Sequence, residues 1–122
     1  MDTKTKIRSF TDLEAWRVAH RLVLMIYEAT SNFPDEERFG LTNQIRRAVI
    51  SVTSNIAEGF SRKTAKEKRK FYNIAQGSLI ELQNQLIASR DIGYLPKLQF
   101  AKIADQTIIA HKLICGLTRS AK

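Results

Sequence analysis

The side chains equipped for chemistry in this sequence are few: two histidines, one cysteine and twelve carboxylates. His111 and Cys115 stand four residues apart, a spacing that on a helix offers an imidazole and a thiolate as two zinc ligands. A closed site needs four, and the sequence has no second cysteine. A di-iron bundle would require Glu three residues before His on two helices, and neither His20 nor His111 has one. Glu58 and Glu81 offer a carboxylate pair for a hydrolase, but no glycine-rich phosphate loop or nucleophile elbow accompanies them. We therefore expect no metal, no cofactor and no enzymatic activity.

Charge is the stronger signal. Twenty Lys and Arg against twelve Asp and Glu give +8 on 122 residues, which favours RNA, DNA or an acidic protein surface as partner. The cations concentrate in RKTAKEKRK, 62–70, where Arg62, Lys63, Lys66, Lys68, Arg69 and Lys70 surround the single acid Glu67. The segment spans a predicted helix start, whose macrodipole already places about half a positive charge there, so cations destabilise it slightly. Helix stability does not explain them. They read as an edge that contacts phosphates, helped by helix N-terminal amides, with Arg17, Arg21, Arg46 and Arg47 as contributors. Tyr72 is placed to stack on a base, yet no motif for sequence-specific readout is visible.

A second constellation, Gln44, Arg47, Ser51, Asn55 and Glu58, forms a polar stripe roughly 120° from the apolar one on the same helix. Arg47 and Glu58 are separated by about 16 Å of helix, so their partners are expected on other helices or another subunit. Small residues and an amide beside them suit a polar contact layer, within the chain or across an oligomer.

Four helices must position these groups. The first is expected to start at Thr11, capped with Glu14, and to bury Leu13, Trp16, His20, Val23 and Tyr27, leaving Val18, Leu22 and Met25 as a second apolar strip. Pro34 interrupts it. The second, from about Leu41 to Phe60, carries Ile45, Val49, Val52, Ile56 and Phe60 at a period near 3.6, which outweighs the strand propensity of its β-branched residues. Thr64 and Glu67 cap the third, which runs to about Arg90 with Phe71, Ala75, Ser78, Leu82 and Leu86 inward and Ile80 and Ile87 opposite. Gly93 suits its C-terminal cap and Pro96 the first turn of the fourth, where Phe100, Ile103, Thr107, Ala110, Ile114 and Leu117 repeat at three and four.

Residues 1–122 thus read as a single all-α domain, an antiparallel up-down-up-down four-helix bundle with fraying ends at 1–10 and 119–122. The spare apolar strips point to a homo-oligomer. No stretch is long and apolar enough for a membrane span or a signal peptide, and the lone Cys115 rules out an internal disulfide, so a cytoplasmic protein is expected.

The chain also resembles the four-helix-bundle proteins encoded in intervening sequences of bacterial large-subunit ribosomal RNA genes. The likeness runs through DLEAW (12–16), Phe33-Pro34, Gly40-Leu41, QIRRA (44–48), Ser51, NIAEG (55–59), Arg62 and IAQGSLIEL (74–82), with Thr53 where many members carry Pro. The resemblance implies an antiparallel bundle assembled into a ring, a homopentamer with a central channel, without known enzymatic activity. A related branch is similar to accessory proteins of diversity-generating retroelements, which bind nucleic acid and a reverse transcriptase. The expectation that follows is a non-catalytic, basic, oligomeric scaffold that binds RNA or DNA without sequence specificity. The alternative is an interaction module that docks an acidic protein such as a reverse transcriptase.

Overall fold

The computed structural model describes residues 6–121. The chain forms helices α1 (Glu14–Thr30), α2 (Leu41–Ser61), α3 (Ala65–Ile92) and α4 (Lys97–Ser120), with short 3-10 turns at Phe10–Asp12 and Asp35–Glu37 and no strand among the described residues. α1 packs on α2 and α4, and α3 packs on the same two, closing a four-helix bundle around one core. No helix among the described residues is long and apolar enough to cross a membrane.

The start of α1 differs from expectation. Ser9 and Asp12, not Thr11 and Glu14, form the capping box: Ser9 Oγ accepts the Thr11 N–H at 3.2 Å, and Asp12 Oδ2 accepts those of Arg8 and Ser9 at 2.9 and 3.2 Å. Those two amides hold the Asp12 carboxyl below its ordinary range. Leu13 then takes an extended conformation, which separates the 3-10 turn from α1 and drops its side chain into the core.

The buried face of α1 is also rotated from the expected one. It consists of Ala15, Ala19, Leu22, Val23, Ile26 and Ala29, while Trp16 is half-buried and His20 and Tyr27 are exposed. Both stripes carry large apolar residues, and the alanines decide between them because they let α1 approach its neighbours closely. Leu22, expected on a spare strip, is fully buried, with Val18 and Met25 at the rim of the core.

In α2 the expected stripe is the core: Ile45, Val49, Val52 and Ile56 are fully buried and Phe60 half-buried. In α3 the stripe moves partly by one residue, to Tyr72, Ala75, Leu79, Leu82 and Leu86, with Phe71 and Ser78 half-buried. Gly59 of α2 makes the room for Tyr72. A Cβ there would lie 2.6 Å from Tyr72 Cε1, so only a residue without one leaves room for the ring.

In α4, Ile103, Thr107, Ala110 and Ile114 are buried, and Phe100 and Leu117 are half-buried. The Thr107 hydroxyl is satisfied inside the core, accepting from Gln83 Nε2 at 3.1 Å and donating to Ala104 O at 2.6 Å. Gly93 closes α3 at φ 100°, the left-handed cap conformation, and Pro96 stands at the N-cap of α4, one place before the first turn. The stretches expected to fray lie partly outside the described residues. Of the rest, Phe10 packs on Trp16 and α4 is helical through Ser120.

Tyr94 links the two connections at one end of the bundle. Its hydroxyl donates to Glu37 Oε2 at 2.9 Å and its ring lies 5.5 Å from that of Phe33. Donation to Glu37 holds the phenol above its ordinary value of 10.0, so whatever stability the contact adds is complete below that pH and is lost as pH rises through the higher folded value. Tyr94→Phe is expected to flatten the alkaline limb of a Tm-versus-pH curve. Gly59→Ala should destabilise by about 1–3 kcal/mol through overpacking. Gly77→Ala, where an added Cβ meets nothing within 4 Å, should be neutral or stabilising by up to ~1 kcal/mol in the same thermal melts.

Candidate nucleic-acid interface

The basic segment occupies the corner where α2 hands over to α3. Arg62, the C-cap of α2, is extended, and Thr64 caps α3 by accepting the Glu67 N–H at 3.1 Å. The six cations then divide. Lys68 Nζ donates to Phe60 O at 2.8 Å and lies 5.5 Å from the Phe60 ring centroid, so it neutralises the carbonyl end of α2. This corrects the expectation that helix stability has no use for these cations: Lys68 belongs to the first turn of α3 but serves the last turn of α2. Arg62 pairs with Glu58 at 2.7 Å and lies 4.6 Å above the Phe71 ring. Arg69 reaches the Ala121 carbonyl, at the end of α4, at 3.4 Å.

Lys63, Lys66 and Lys70 are exposed and make no ion pair or hydrogen bond among the described residues. Lys66 and Lys70 share a face of α3, about 6 Å apart along its axis. Tyr72, expected to meet a base, is only 3% exposed and burial raises its phenol pKa, because its ring fills the space over Gly59.

The arginines of α1 and α2 divide in the same way. Arg46 Nε donates to Thr30 Oγ1 at 2.8 Å, Nη2 approaches Tyr27 O at 3.5 Å, and the guanidinium stacks 4.5 Å from the Tyr27 ring. It fastens α2 to the C-terminal turn of α1. Arg17 Nε donates to Thr11 O at 2.9 Å with Asp12 at 3.7 Å, pinning the 3-10 turn. Arg21 and Arg47 are exposed and unpaired among the described residues.

The polar stripe of α2 is brought against α3 in its middle only. Ser51 Oγ meets Ser78 Oγ at 2.8 Å, and Asn55 Nδ2 donates to Ser51 O at 2.8 Å and Oγ at 3.1 Å. Gln44 and Arg47 border a shallow groove with Ser51, Ser78 and Glu81. Glu58 departs from expectation, since its partner Arg62 is one turn along the same chain rather than on another helix or subunit. Glu81 accepts from Gln85 at 3.2 Å, and the groove it lines does not include Glu58, so the imagined carboxylate pair is not assembled.

His111 Nε2 lies 3.7 Å from Cys115 Sγ, and Gln76 Nε2 donates to that sulfur at 2.9 Å. No group of three or more metal-ligating side chains gathers among the described residues. Sequence reasoning placed Ser78 inward without giving it a partner, and it missed Gln76 and Gln83, the α3 residues that meet α4.

No curated relative matches the chain. Among solved structures it is similar to a crystal structure of a protein with unknown function from the S23 ribosomal protein family of Bacteroides thetaiotaomicron. That match has a TM-score of 0.80 at 19% identity and covers 87% of this chain and 96% of that one, a likeness of fold. Residues 11–116, which hold the four helices and the basic corner, match the 23S rRNA-intervening sequence proteins, and the chain belongs to that family.

Proposed function

We propose that this protein is a non-catalytic, oligomeric scaffold that binds RNA or DNA through the phosphate backbone. One observation carries the reading: the fold uses Lys68, Arg62 and Arg46, whereas Lys63, Lys66 and Lys70 are exposed without a partner among the described residues. Three cations held near a helix N-terminus, where the macrodipole opposes them, suit counterion release from a polyanion. The family's description as 23S rRNA-intervening sequence protein supports an RNA setting, and with it a cytoplasmic one. Tyr72 is buried, which favours backbone contact over base readout at this edge.

The helices we take to run up-down-up-down. Gly59 lies against Tyr72 and Ser51 against Ser78, while Gln76 reaches His111 and Gln83 reaches Thr107, and in both helix pairs the residue numbers run in opposite directions. Exposed Ile80 and Ile87 on α3 and Ile108 and Ile109 on α4 support self-assembly, which we take to be a five-membered ring by resemblance to the family.

Replacing Lys63, Lys66 and Lys70 together by Gln should weaken binding to mixed RNA or DNA fragments roughly tenfold or more at low salt. It should also flatten the log–log salt slope by about 0.7–0.9 per lost contact, with Tm unchanged. Lys68→Met should lower Tm by a few degrees, in line with ~0.3–1 kcal/mol at a helix C-terminus, and weaken binding less. Wild-type binding by the triple variant, or no association of the unaltered protein with either nucleic acid at low salt, would sink the reading. A partner retained after nuclease treatment would instead favour docking of an acidic protein such as a reverse transcriptase. Solution mass across the salt series should exceed one subunit throughout, and a monomer at all salts rejects the ring.

A further inference from the structure

On α1, Trp16 and His20 lie face to face with ring centroids 4.7 Å apart and planes inclined by 9°. Phe10 meets Trp16 edge-on at 5.3 Å, and Trp16 packs against the core, so the indole is held in place. His20 is exposed and makes no hydrogen bond or ion pair among the described residues. One face of its imidazole is covered by the indole, which leaves the other to solvent on a rigid backing.

Arg17 and Arg21, also exposed, share a face of α1 to one side of His20. Arg17 is anchored by the Thr11 carbonyl at 2.9 Å, and Arg21 is unpaired among the described residues. Flat aromatic faces beside cations are how proteins hold single-stranded nucleic acid: the bases stack, and the cations follow the phosphates. A duplex, whose bases are already stacked on one another, offers such a face nothing. We propose that the Trp16–His20 stack, with Arg17 and Arg21 beside it, is a platform for an unpaired nucleobase. This rests on the nucleic-acid reading above and adds to it a preference for single-stranded segments at this surface.

Trp16 is the sole tryptophan, so its emission reports on this site alone. The intact protein would be titrated at low salt with a short mixed-sequence single-stranded RNA, the same strand annealed to its complement, and inorganic polyphosphate. Association is followed separately by anisotropy of a labelled strand, with polyphosphate as competitor. The single strand should change Trp16 emission, while duplex and polyphosphate bind without doing so. His20→Ala should weaken single-strand binding roughly fivefold or more and leave duplex binding unchanged, and His20→Tyr should restore it. Single-strand binding that leaves Trp16 emission unchanged, or that His20→Ala does not weaken, overturns the platform while the phosphate-binding reading stands. If none of the three polyanions binds, the nucleic-acid reading itself falls.

Discussion

α2 and α3 pack closely, and their contact depends on a residue with no side chain. Gly59 faces the Tyr72 ring at a distance that a single added carbon would reduce to 2.6 Å. Eight residues earlier on α2, the Ser51 and Ser78 hydroxyls meet at 2.8 Å, so the two helices remain close over more than two turns. That intimacy rotates α3 until Tyr72 and Leu79 enter the core, and it brings the corner at 62–70 back over the carbonyl end of α2. The placement of the basic edge is a consequence of this packing.

The same packing sorts the positive charge. Side chains from neighbouring helices approach carbonyls at the ends of α1, α2 and α4: Arg46 at α1, Lys68 at α2 and Arg69 at α4. Two of these cations also stack on an aromatic ring of the helix they serve, Arg46 on Tyr27 and Lys68 on Phe60. A cation so engaged is poorly placed to hold a phosphate. The positive charge left unpaired among the described residues is therefore smaller than composition implies, and it includes Lys63, Lys66 and Lys70 at the corner and Arg21 and Arg47 elsewhere.

Much of the fold was legible because apolar periodicity and helix stops are local signals. Ile45, Val49, Val52 and Ile56 are buried as their spacing implies, and Thr64 and Gly93 cap α3 as their chemistry implies. The failures share a cause. On α1 two apolar stripes competed, and Ala15, Ala19 and Ala29, weak as hydrophobic signals, marked the true face by permitting close contact. At its start, Ser9 and Asp12 formed a capping box that Thr11 and Glu14 could equally have supplied. Within the basic segment the six cations look alike in sequence, and no local rule separates Lys68 from Lys66.

The sequence by itself determined the four helices, most of their ends, the core stripe of α2, the excess of positive charge and its concentration at 62–70. These follow from period, propensity and composition, which a single stretch of chain carries within itself. Tertiary structure decided which face of α1 and α3 turns inward, that His20 lies exposed on Trp16, that Tyr72 is unavailable to a base, and which cations the fold consumes. Apart from the Trp16–His20 stack, a contact within one helix, these depend on atoms brought together from separate helices, as where Tyr72 lies over Gly59. In NQIRRAVISVTSNIAEGF (43–60), the apolar half could be read from spacing alone, whereas the roles of Arg46, Ser51 and Gly59 waited for the helices beside them.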